Sequence, residues 1–104
     1  MNLSRKEEVA QVLNSDIETL GHVDILINNA GVAQRSQVMD TNLNVYEEIM
    51  QVNLFGAIAL TKLILPSMVN RHSGHIVIIG SPAGLFGTPL RSGYAASKHA
   101  LHGF

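Results

Sequence analysis

The chain contains no cysteine and no tryptophan, only 5% aromatic residues and only 14% charged residues in 104. Each scarcity excludes something. Without cysteine there is no disulfide framework and no thiolate metal site. With seven basic against eight acidic residues and a net charge of −1, there is no basic footprint for nucleic acid. The opening residues are polar and charged, with no uninterrupted apolar core behind Arg5 and Lys6, so they do not read as a signal peptide. No uninterrupted apolar run approaches the ~20 residues of a membrane span. What remains is a globular composition, 46% hydrophobic, of one small domain's length.

Periodicity supplies the elements. Ser4 followed by Glu7 is a capping-box pattern, and Val9, Val12, Leu13, Ile17 and Leu20 recur at helical spacing up to the stop at Gly21. A helix is expected over 5–20. Val23–Ile27 is a short, almost continuous apolar run, the pattern of a parallel strand covered on both faces. "NNAG" (28–31) marks the turn at its carboxyl end. Asn44 with Glu47 predicts a second capped helix, running to about Asn70, with a kink or early end at Pro66. "HIVIIG" (75–80) is a second buried strand, "SPAGLFGTPLRSG" (81–93) a loop, and a third helix begins at Tyr94. The order predicts a βαβ crossover with flanking helices, part of a doubly wound parallel α/β sheet. Two such strands cannot cover themselves, so the chain reads as a piece of a larger domain.

The chemistry sits at the strand ends and on the last helix. Tyr94 and Lys98, at i and i+4, share a helix face. A free phenol titrates near ~10, and an ammonium a few ångströms away favours the phenolate. The pair can therefore act as a proton donor and acceptor. Ser81 follows a buried strand, at the end of the sheet where open parallel sheets place ligands. Asn53 lies mid-helix, a poor position for Asn by propensity. Gly31 allows close approach of a ligand to the backbone. The five histidines lack a carboxylate or thiol to complete a metal site, so no metal is expected.

"NNAG" (28–31), "VN" (52–53), "IIGS" (78–81) and "YAASK" (94–98), in that order and with thirteen residues from Ser81 to Tyr94, resemble the short-chain dehydrogenases/reductases. The resemblance covers essentially the whole chain. It implies a Rossmann fold and transfer of hydride between NAD or NADP and a carbonyl/alcohol substrate. Tyr94 would exchange the proton with the substrate oxygen and Ser81 would hold that oxygen. Lys98 would favour the phenolate and hydrogen-bond the nicotinamide ribose. Asn53 would unwind its helix and keep a water in a relay to Lys98. Asn29, Ala30 and Gly31 would line the adenosine side of the cofactor, and Asn28 would tie neighbouring strands together. Asn2 stands near the place of an acidic residue that meets the adenine amino group.

The family's glycine-rich turn, T-G-x-x-x-G-x-G, is not in the sequence, and "GSPAGLFG" does not replace it, because its spacing and prolines fit a loop. The 104 residues by themselves are expected to be inactive. Residues 34–53 and 93–104 further resemble the "dehydrogenase/reductase member 7" branch. That likeness implies steroid- or retinoid-like substrates and a location in the cytoplasm or at the endoplasmic reticulum membrane through an N-terminal segment. It also implies a homo-oligomer built on the Asn53 and Tyr94 helices. The second reading is a truncated, inactive isoform that pairs with a full-length subunit.

Overall fold

A computed structural model describes all 104 residues. Helix α1 spans Lys6–Leu20, strand β1 Ile25–Asn28, helix α2 Leu43–Met50, helix α3 Gly56–Arg71, strand β2 His75–Ile78 and helix α4 Ser92–Gly103. Helices α2 and α3 are continuous through a π-helical turn at Gln51–Phe55, and short 3₁₀ turns occupy Val38–Asp40 and Pro82–Gly84.

The two strands pair in parallel, Ile25 against His75 through Asn28 against Ile78. Further bonds, His75 N–H to the Asp24 carbonyl and Ile79 N–H to the Asn28 carbonyl (both 3.0 Å), extend the ladder at each end. The strands thus end side by side, and both following loops leave the sheet at one place. Val9 and Leu13 of α1, Leu26 of β1 and Leu60, Ile64 and Met68 of α3 form the core, with Ile76 of β2 packed against it.

Helices cover only one face of this sheet. Leu26 and Asn28 are buried, while Ile25 and Ile27 are each 57% exposed and Val77 is 40% exposed. Two covered faces were expected from the solid apolar runs. The other face has no layer over it within these residues, so the apolar side chains there meet solvent. The shape agrees: extents of 47 × 26 × 14 Å and a radius of gyration of 15.2 Å, against about 13 Å for a compact domain of this length.

The helix ends differ from their sequence signatures. Ser4 does not cap α1; its hydroxyl donates to Asn2 Oδ1 (2.6 Å), and Arg5 becomes the N-cap residue. Asn42, two residues before the expected Asn44, precedes α2, and its carbonyl accepts from Val45 N–H (3.0 Å). Pro66 does not end α3. Its ring lies on the exposed side, while Ile64 and Met68, on either side of it, are both held in the core. The helix runs to Arg71 and closes on His72 in the left-handed region (φ 52°). Gly21 stops α1 as expected, donating to the Ile17 carbonyl at 2.7 Å.

Taken as one helix, Leu43–Arg71 is long and apolar enough to cross a membrane, with mean hydropathy 1.7 in its most apolar window. Uninterrupted runs alone had not revealed this. The same stretch buries Asn53 and Thr61 and packs on α1 and β1, as a core helix does.

Ile64, 3% exposed, fills the space between α3 and its neighbours. Ile64→Ala is expected to destabilise the folded protein by about 2–5 kcal/mol, read by urea denaturation. Val69→Ala on the same helix, at a 60% exposed position, should change stability by about 0.5 kcal/mol or less.

Candidate active site

The loops leaving β1 and β2 open at the carboxyl edge of the sheet, where open parallel sheets bind ligands. "NNAG" divides its labour there. Asn28 turns inward, 6% exposed, and its Nδ2 donates to Thr61 Oγ1 of α3 at 3.2 Å. Its side chain therefore ties β1 to a helix, while its carbonyl accepts from Ile79 N–H (3.0 Å) next to β2, and its Oδ1 is buried without a partner. Asn29, Ala30 and Gly31 are exposed and face the crevice.

Asn53 lies at the middle of the π-helical turn and is 1% exposed. Its Oδ1 accepts from Val32 N–H (2.8 Å), and its Nδ2 donates to the Val32 carbonyl (2.8 Å) and to Ser97 Oγ (2.9 Å). One amide thus pairs with a backbone as a neighbouring strand would, and joins the β1 loop to α4. Both amide protons are committed; Oδ1 keeps one lone pair.

On α4, Tyr94 is partly exposed and its hydroxyl makes no hydrogen bond within the chain, while Lys98 is 4% exposed. The ammonium donates to the Ile79 carbonyl (3.3 Å) and lies 5.6 Å from the centre of the Tyr94 ring. A Cβ placed on Gly31 would stand 3.4 Å from Asn53 Oδ1 and 3.7 Å from Lys98 Nζ. Those two polar atoms therefore bound one small space that Gly31 leaves open. Ser81 caps the Pro82–Gly84 turn by accepting from Ala83 N–H at 3.2 Å, which leaves its own proton free to donate.

The structure thus brings Gly31, Asn53 and Lys98 together and lays the Ser81 segment on α4. Asn2 is not available in the way expected, because Ser4 N–H (3.0 Å) and Ser4 Oγ–H both bond its Oδ1. Two further residues hold the site, and sequence patterns did not find them. Ser97 is fully buried, and its hydroxyl donates to the Tyr94 carbonyl (2.7 Å) while accepting from Asn53. Gln34, 9% exposed, accepts from Tyr94 N–H (3.3 Å) and donates to Ser92 Oγ (3.4 Å), which also bonds Tyr46 Oη (2.9 Å). Gly93 has no side chain where Tyr46 and Ile49 of α2 press in; a Cβ there would meet them at 2.8 and 3.1 Å.

The family model for short chain dehydrogenase matches residues 1–104. The chain belongs to the short-chain dehydrogenase family. Dehydrogenase/reductase SDR family member 7B of Danio rerio is 48% identical over 103 residues, covering 99% of this chain and 33% of that protein. Dehydrogenase/reductase SDR family member 7 of Homo sapiens is 48% identical over 88 residues, 85% of this chain and 26% of that protein. The chain therefore spans about a third of the length of the curated relatives it matches.

Solved short-chain dehydrogenases share the fold closely. 4-Hydroxyisoleucine dehydrogenase, complexed with NADH, aligns with a TM-score of 0.91 at 33% identity over 99% of this chain and 46% of its own. A metagenomic short-chain oxidoreductase in complex with NADP aligns with a TM-score of 0.92 at 29% identity over 98% of this chain and 46% of its own. The family is one of Rossmann-fold oxidoreductases that use NAD(P) and act on small molecules.

Asn53→Ala removes three hydrogen bonds and leaves the Val32 N–H and carbonyl without their partners. Val32 is 40% exposed and water can take up part of the loss, so a total of about 1–3 kcal/mol of stability is expected. Urea denaturation measures the total, and amide exchange should rise first at Val32.

Proposed function

We propose that these residues are the central part of an NAD(P)-binding Rossmann domain. That domain would belong to an oxidoreductase acting on a carbonyl/alcohol pair. The supporting observation is the meeting of Gly31, Asn53 and Lys98 beside Tyr94 at the carboxyl edge of a parallel sheet. A nicotinamide ribose fits this place. Gly31 presents no side chain, and Lys98, with one proton on the Ile79 carbonyl, has two left for ribose hydroxyls.

The bound nicotinamide supplies or accepts the hydride. The chain's own part is proton transfer and placement. In reduction, the Tyr94 hydroxyl gives its proton to the substrate oxygen as the carbonyl becomes an alcohol; in oxidation the proton returns. Ser81 donates its free proton to the same oxygen as a hydrogen bond and fixes its position. The Lys98 ammonium, 5.6 Å from the centre of the Tyr94 ring, faces the side chain that gives up this proton. A water in the space bounded by Asn53 Oδ1 and Lys98 Nζ would carry the proton onward. Asn29 and Ala30, exposed beside Gly31, line the adenosine side.

The substrate class we assign is an apolar carbonyl or alcohol of steroid or retinoid type. Leu85 and Phe86, four and five residues after Ser81 in the same loop, are 70% and 62% exposed. An apolar substrate would cover them. The partner proposed is a second subunit meeting the Asn53 and Tyr94 helices, where Phe55, Leu63, Leu65 and Val69 of that long helix face outward. The 104 residues contain no glycine-rich phosphate turn, so alone they would give the pyrophosphate no helix N-terminus. We propose that they do not turn over NAD(P)H by themselves.

In the full-length protein, Tyr94→Phe should lower turnover with an apolar aldehyde or ketone by roughly 10²–10⁴. NAD(P)H binding, followed by quenching of nicotinamide fluorescence, should stay within about twofold because the ring is retained. Unchanged turnover in Tyr94→Phe would overturn the assignment. A separate prediction concerns Gly31→Ala. Its new methyl meets neighbours only at ordinary contact distance (3.4 Å or more), so melting should hold while cofactor binding or turnover falls.

A further inference from the structure

His102 lies one helical turn beyond Lys98, in the row Tyr94, Lys98, His102 at i, i+4 and i+8 of α4. It has no place in the chemistry above, yet its ring occupies a particular position. A Cβ on Gly80 would come within 2.8 Å of His102 Nε2, and one on Gly84 within 2.5 Å of Cδ2 and 2.6 Å of Nε2. Real side chains do not approach so closely. The imidazole, exposed to solvent on its outer side, therefore lies against two glycines that flank Ser81, in room that an added methyl at either would contest. Gly80 is not in the left-handed region, so its backbone does not itself call for glycine there. Its smallness answers to the ring.

The segment that carries Ser81 is consequently attached to α4 at two successive turns. Lys98 donates to the Ile79 carbonyl on one side (3.3 Å), and His102 packs on Gly80 and Gly84 on the other. The Ile79 N–H bond to the Asn28 carbonyl and the Lys98 bond hold the start of the segment, and the ring adds a contact one helical turn further on. Ser81 rides between the two, and Tyr94 sits on the same helix face one turn before Lys98.

We propose that His102 is a positioning residue: by wedging against Gly80 and Gly84 it holds Ser81 at working distance from Tyr94. The assignment rests on the reading that Ser81 and Tyr94 act on one substrate oxygen. It predicts that the ring's volume at this place matters, and that the volume can be exchanged between His102 and Gly80. Gly80 is the better partner for this exchange, because the three atoms nearest its added Cβ all belong to His102, whereas one at Gly84 also meets the Lys98 carbonyl at 3.1 Å.

The test is a double-mutant cycle in the full-length protein with NAD(P)H and an apolar ketone. His102→Ala should lower kcat by roughly ten- to a hundredfold, through misplacement of Ser81, with the NAD(P)H dissociation constant unchanged. Gly80→Ala should lower kcat similarly, because its methyl collides with the ring. Gly80→Ala combined with His102→Ala should recover most of the loss, the methyl filling room that the ring has vacated. A double variant no better than the product of the single effects would overturn the proposal, as would a Gly80→Ala protein with wild-type kcat. Thermal melting and the amide resonances of Gly80, Ser81 and Gly84 are read in parallel on the same four proteins. If wild type turns over no substrate, the functional reading fails, but the contact is still decided. Coupled melting and coupled resonance shifts would uphold the wedge, and additive ones would reject it.

Discussion

One buried amide organises this chain. Asn53 is almost wholly inaccessible, yet it carries a donor pair and an acceptor that must find partners. It finds them on two other parts of the chain, the backbone of Val32 and the hydroxyl of Ser97. The long helix accommodates it by widening to a π-helical turn, a deviation that recurs at functional sites. Through Ser97 the amide also reaches the Tyr94 carbonyl, so the loop after β1, the middle of the long helix and the start of α4 are fixed as one unit. Everything chemically interesting is attached to that unit.

A second constraint comes from what is small. Gly31, Gly93, Gly80 and Gly84 each lie where a neighbouring side chain comes close, and none of them is required for a left-handed turn. Gly93 lets α2 approach the first turn of α4, Gly80 and Gly84 let α4 approach the Ser81 segment, and Gly31 leaves space above Lys98. The site is assembled by closeness of backbones, with polar groups set into the gaps.

The sequence revealed the elements and the chemistry unevenly. Both strands and the first helix could be read from apolar rhythm, because that rhythm reports which faces are buried, whereas the π-helical turn and the two 3₁₀ turns could not. The caps could not. Ser4 has the right spacing to Glu7, but the nearer Asn2 captures its hydroxyl, and a pattern rule cannot see that competition. Pro66 signals a break by its own geometry, yet Ile64 and Met68 are locked into the core on either side, and tertiary packing overrides local preference. Tyr94, Lys98, Ser81 and Asn53 stood out because their residue types and spacing are distinctive. Gln34 did not, since its partners lie 58 and 60 residues away and only the path of the loop after β1 brings them together.

The open side of the sheet has a consequence for the life of the chain outside its proper surroundings. Ile25, Ile27, Val77 and Ile79 form an apolar surface with no helix above it, and each of the two strands has one edge whose peptide groups pair with nothing. Flat apolar strands with free edges are templates for pairing with other chains. Such a face stays adhesive until something covers it. The surface is therefore a kinetic hazard as well as a structural one: the order in which neighbours close over it decides between a finished sheet and an aggregate.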